Sequence, residues 1–105
     1  MTQNILAELP PDTGAEIFQR LAGSRHVLIE RIISRAQCSA PGEWYEQARA
    51  EFVLLVSGSA TLVFEGGEPL QLSPGDYLDI PAGRRHRVER TDPLRETIWL
   101  AVHYD

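Results

Sequence analysis

The chain has 105 residues, 43% hydrophobic and 24% charged, with a net charge of −5 and a pI near 5.1. That length corresponds to one domain, and the acidic balance excludes a nucleic-acid partner or an anionic membrane surface, since both require a basic face. Cys38 is the single cysteine, which excludes an intramolecular disulfide and a cysteine-built zinc site and fits a reducing cytosol.

The N-terminus has neither a basic region nor an apolar run of signal-peptide length, so a soluble cytoplasmic protein is expected. Residues 1–24 read as an arm with one short helix. Ile5 to Leu9 form a short apolar stretch before Pro10 and Pro11. Thr13-Gly14-Ala15-Glu16 then has the spacing of a capping box ahead of Ile17, Phe18 and Leu21, with Gly23 placed to end the helix.

From residue 25 to 105 the pattern changes to short β-branched and aliphatic runs at 27–33, 51–56, 60–65, 70–72, 77–80, 86–90 and 96–104. Strands this short and this frequent predict an all-β sandwich or barrel. Ser57-Gly58-Ser59, Gly66-Gly67 and Ser73-Pro74-Gly75-Asp76 supply the turns. In the second run Phe52, Leu54 and Val56 lie on one face and Glu51, Val53 and Leu55 on the other, so both faces are largely apolar. One fills the barrel; the other needs the N-terminal segment or a second copy. A domain this small hides roughly two-thirds of its unfolded surface, and a homodimer is expected.

Between Gly75 and His86 a glycine, five residues, Pro81, one residue, Gly83 and two residues lead to the histidine. Gly75 turns the chain, Pro81 and Gly83 make a second sharp turn, and His86 opens a strand entering the barrel. This segment resembles the second motif of the cupin superfamily, with Arg90 where the family has asparagine. Of the first cupin motif, Glu51 and Gly58 are retained, while Gly42 is not at the family's glycine position. The two motif histidines are replaced by Tyr45 and Gln47 in one register or by Trp44 and Glu46 in the other; the first is preferred because both of its side chains point the same way and carry oxygen donors. The resemblance spans about residues 25–103 and implies a single antiparallel barrel of jelly-roll type.

In metal-binding cupins the motif residues converge on Fe, Mn, Ni, Cu or Zn. The resemblance therefore implies a divalent metal on Glu51 and His86 with Gln47 assisting, and the alternative is a metal-free pair in which Glu51 accepts hydrogen bonds from Tyr45 and His86. No organic cofactor is expected. His103 alternates with Trp99 and Ala101, so it either lines the pocket beside His86 or sits as a solvated rim histidine. Arg84, Arg85, Arg87 and Arg90 crowd His86 in sequence, which suits an anionic ligand unless they pair with acidic neighbours. His26 reads as structural and Cys38 as inert. Two functions stay open: a small-molecule cupin enzyme with Glu51 and His86 as catalytic residues and Tyr45, Trp99 and His103 around them, or a non-catalytic ligand-binding or regulatory module.

Overall fold

The computed structural model describes residues 2–105. Its eight strands are β1 (Ile17–Gly23), β2 (Val27–Ser34), β3 (Ala50–Ser57), β4 (Ala60–Phe64), β5 (Leu70–Leu72), β6 (Tyr77–Ile80), β7 (His86–Thr91) and β8 (Thr97–Tyr104). They form two antiparallel sheets, one of five strands in the order β1-β2-β8-β3-β6 and one of three in the order β5-β4-β7. Among the described residues no helix is long and apolar enough to cross a membrane.

The short helix expected after Thr13 is absent; residues 17–23 are β1 instead. Its local capping signals are outweighed by pairing with β2, from Ile17 opposite Ile33 to Gly23 opposite Leu28. A ladder of backbone hydrogen bonds to a neighbouring strand overrides a propensity difference of about 1 kcal/mol or less per residue. Glu16, read from sequence as the glutamate of a capping box, accepts a hydrogen bond from the Ser34 hydroxyl at the C-terminal end of β2.

Register decides which side chains meet. On the inner face of the larger sheet, Ile32 lies opposite Trp99, Glu30 opposite Ala101, Val53 opposite Ala101, and Glu51 opposite His103 and Ile80. Leu55 is fully buried there, and the three-stranded sheet meets it with Ala60, Leu62 and Leu72. The inner face of β3 is therefore apolar except for Glu51, which is itself buried.

The outer face is partly covered by the N-terminal arm. The Arg31 guanidinium, buried on β2, donates to the carbonyls of Ile5 at 3.1 Å and Ala7 at 2.8 Å and to Gln19 Oε1 at 2.8 Å. Arg35 reaches the carbonyl of Pro10. Phe52 and Leu54 lie beyond this clamp half-buried, and Tyr77 is exposed.

Candidate functional site

A cavity of about 160 Å³ opens between the two sheets. Ile32, Val53, Leu62, Ile80, Val88 and Trp99 form apolar walls, while Glu16, Phe18, Tyr45, Gln47, Glu51 and His86 complete the lining. Phe18 on edge strand β1 and Tyr45 are partly exposed and mark the mouth.

His86 enters from the turn at Pro81-Ala82-Gly83-Arg84, closed by Arg84 N–H donating to the Pro81 carbonyl at 3.1 Å. Gly83 has φ of +78° there, a conformation that costs a side-chain-bearing residue strain. Its N–H donates to the Gln47 carbonyl at 2.8 Å. Tyr45 and His86 exchange both backbone hydrogen bonds, at 2.7 and 3.0 Å. The degenerate first motif is thus pinned beside β7 by a single bridge, and Tyr45 and Gln47 line the cavity, whereas Trp44 packs outside near Arg87 and Glu46 is exposed.

Glu51 comes from the opposite sheet. Its Oε1 lies 3.7 Å from His86 Nε2, with both side chains over nine-tenths buried. No hydrogen bond reaches the Glu51 carboxyl from Tyr45, His86 or any other described residue, so the hydrogen-bonded arrangement expected for a metal-free pair is not made. His86 Nδ1 lies 2.9 Å from the Arg84 carbonyl, which only accepts. Nδ1 therefore carries a hydrogen, and in the neutral ring Nε2 is an acceptor facing another acceptor.

His103 lies on the same face as Trp99 but outside the cavity lining. Its Nε2 is 2.9 Å from Glu30 Oε1 and 3.9 Å from Glu51 Oε2. It is largely buried, and so is neither a wall of the pocket nor a solvated rim group. Burial pushes the Glu51 carboxyl above the ordinary range; His103 and His86 offset this in part, while Glu30 and Glu16 add to it. Burial raises Glu16 as well, against the hydrogen bond from Ser34.

Glu16 is the charged lining residue that sequence reasoning missed, and Phe18 the aromatic one. Ser34 Oγ donates to Glu16 and accepts from Trp99 Nε1 at 3.2 Å, so indole, hydroxyl and carboxylate form one line into the cavity. Strand alternation turns Arg87 outward, where it pairs with Glu89 at 3.1 Å. Arg84 stacks over Phe64, Arg85 pairs with Glu65, and Arg90 reaches Ser59. None of the four lines the cavity. His26 pairs with Asp105 at the surface, and Cys38 is exposed.

Cupin barrels commonly hold a divalent metal, but the donors present do not fit one. Among the described residues no group of three or more His, Cys, Asp or Glu side chains is arranged around a common point. Glu51 and His86 are two strong donors and Gln47 a neutral amide, fewer than the three protein ligands of a catalytic zinc site. The other nearby imidazole is engaged by Glu30.

Two facing antiparallel sheets with a polar pair between them define a small β-barrel domain. The cupin domain family matches residues 36–103, and the chain belongs to that family. A crystal structure of a candidate mannose-6-phosphate isomerase from Ralstonia eutropha JMP134 is 46% identical, with a TM-score of 0.95 over 100% of this chain and 98% of that one. The fold alone is shared with an RmlC-like cupin family protein of Methanocaldococcus jannaschii, at 18% identity and a TM-score of 0.70, covering 92% of this chain and 86% of that one. It is shared likewise with a polyketide cyclase of Streptomyces resistomycificus, at 19% and 0.71, covering 85% and 64%. No curated protein matches the chain.

Proposed function

We propose that this chain is a small-molecule-binding cupin whose ligand enters the cavity and donates hydrogen bonds to Glu51 and His86. The observation that carries this reading is the buried pair: two acceptors 3.7 Å apart with nothing donated between them, in a cavity whose walls are otherwise apolar. A barrel with no ligand to hold would be better served by apolar side chains at both positions. An engineered apolar cavity of about 150 Å³ takes benzene, so a skeleton of roughly six to eight non-hydrogen atoms fits this one.

The relative from Ralstonia eutropha suggests a second reading, proton transfer on a sugar phosphate, for which a carboxylate and an imidazole are suitable groups. The cavity lining contains no arginine, and the chain has no lysine, so a phosphate meets no cation inside. Cyclohexanol and mannose 6-phosphate titrated into labelled protein separate the readings by NMR. Cyclohexanol is expected to shift the Trp99 indole N–H and the His86 ring signals, and His86→Ala to remove the response. Shifts with mannose 6-phosphate alone, or its conversion to product, would favour the isomerase reading instead.

This proposal is metal-independent. Elemental analysis of untagged protein purified without added metal is expected to find far less than one equivalent, and near-stoichiometric metal would overturn it.

A further inference from the structure

The charge balance of the cavity narrows the ligand further, on the reading that this cavity is the ligand site. We infer that the ligand is a small organic cation, an ammonium group on a compact apolar skeleton, and that Glu16 selects for its charge. Three features converge on this assignment.

The lining donors whose hydrogen bonds are defined, Trp99 Nε1–H and His86 Nδ1–H, are spent on Ser34 and on the Arg84 carbonyl, and the other lining polar atoms with defined surroundings are acceptors. In the neutral ring His86 Nε2 is one, because Nδ1–H is committed to the Arg84 carbonyl. The Glu51 carboxylate is another, nine-tenths buried and free of hydrogen bonds. The Glu16 carboxylate is the third: Ser34 holds one oxygen, and the other accepts no hydrogen bond from any described residue. An ammonium brings three donors and takes no hydrogen bond in return, whereas a hydroxyl brings one.

No arginine or lysine answers these carboxylates inside the cavity, and the His86 and His103 rings, 3.7 and 3.9 Å from Glu51, offset its burial only in part. The nearby Arg84, Arg85, Arg87 and Arg90 all turn to the surface, and His103 is engaged by Glu30. Two carboxylates in a largely apolar enclosure are costly until an opposite charge reaches them. Finally, Trp99, Tyr45 and Phe18 contribute rings to the same lining, and aromatic surface beside carboxylates is the chemistry that recognises organic ammonium groups.

Glu16 is fixed for this role by the line from Trp99 through Ser34. It immediately precedes β1 and lines the same cavity as Glu51.

Cyclohexylammonium, cyclohexanol and cyclohexanecarboxylate carry the same ring and differ in charge. Calorimetric or NMR titration of the full chain is expected to show cyclohexylammonium binding at least roughly tenfold tighter than cyclohexanol, with the carboxylate weakest. Glu16→Gln, which keeps an oxygen acceptor for Ser34, is expected to abolish most of that margin by lowering cyclohexylammonium affinity far more than cyclohexanol affinity. Equal binding of the ammonium and the alcohol, or tighter binding of the carboxylate, overturns the inference while the cavity remains a ligand site. A full margin retained in Glu16→Gln overturns the role of Glu16. No cavity response to any of the three probes overturns both the inference and the binding reading on which it rests.

Discussion

Replacing Gly58 with Ala is expected to destabilise the protein by about 2–5 kcal/mol, lowering the melting temperature by roughly 10 °C or more. Gly58 has φ of +90°, where a side-chain-bearing residue pays about 1–2 kcal/mol in backbone strain. A Cβ there would also lie 2.6 Å from Thr97 Oγ1, 2.7 Å from Thr97 Cα and 2.8 Å from the Glu96 carbonyl oxygen. Two of these are main-chain atoms at the start of β8, which cannot swing aside as a flexible side chain would; overpacking of this kind costs about 1–3 kcal/mol more. Gly66 is the control: its φ is +80°, but nothing lies within 4 Å of its Cβ position. Gly66→Ala should therefore show the strain alone. Equal losses in the two variants, measured by thermal or urea unfolding, would refute the crowding at Gly58.

Glu51→Gln is expected to act in opposite directions on binding and on stability. A hydrogen bond to a charged group contributes about 1.5–3 kcal/mol, so ligand affinity should fall roughly tenfold to a hundredfold. Stability should rise by about 1 kcal/mol near neutral pH, because the variant buries no charge. The pH dependence follows from the raised carboxyl. An acid whose folded-state pKa lies above its unfolded value favours the fold at low pH, and that contribution is lost as pH rises through the folded value. Wild type and variant should therefore be closest in stability below the ordinary glutamate range and diverge as pH increases. The other carboxyl groups are common to both proteins and largely cancel in the difference. A variant less stable than wild type at neutral pH would mean that Glu51 serves the fold and not a ligand.

Much of the barrel is legible because its signals are local. The Gly75-to-His86 turn and strand depend on residue types at fixed spacing, and alternation along β3 separates Glu51, Val53 and Leu55 from Phe52, Leu54 and Val56 without knowledge of any partner strand. β1 is different. Its seven residues are compatible with a helix or a strand, and the choice is made by β2, whose edge cannot be seen in residues 13–23 themselves. The same contact explains why Glu16 escaped notice: its role depends on Ser34 and Trp99, brought to it by two sheet registers. The four arginines near His86 mislead for the opposite reason, since closeness in sequence along β7 and its turn places alternate side chains on opposite faces. His103 is legible only to the level of its face; its attachment to Glu30 follows from the β2–β8 register.

The position of β8 at the middle of the larger sheet bears on how the protein is made. β8 pairs with β2 on one side and β3 on the other, strands that precede it by tens of residues. On a ribosome β2 and β3 emerge first, yet each lacks the neighbour that completes its ladder until residues 97–104 have cleared the exit tunnel. The larger sheet must therefore close late and almost at once, a non-local step of the kind that makes all-β domains fold in milliseconds to seconds. Until then the apolar edges of β2 and β3 are exposed to other nascent chains, so in the cell the yield of folded protein will be governed by how quickly the last strand is delivered and how well those edges are shielded beforehand.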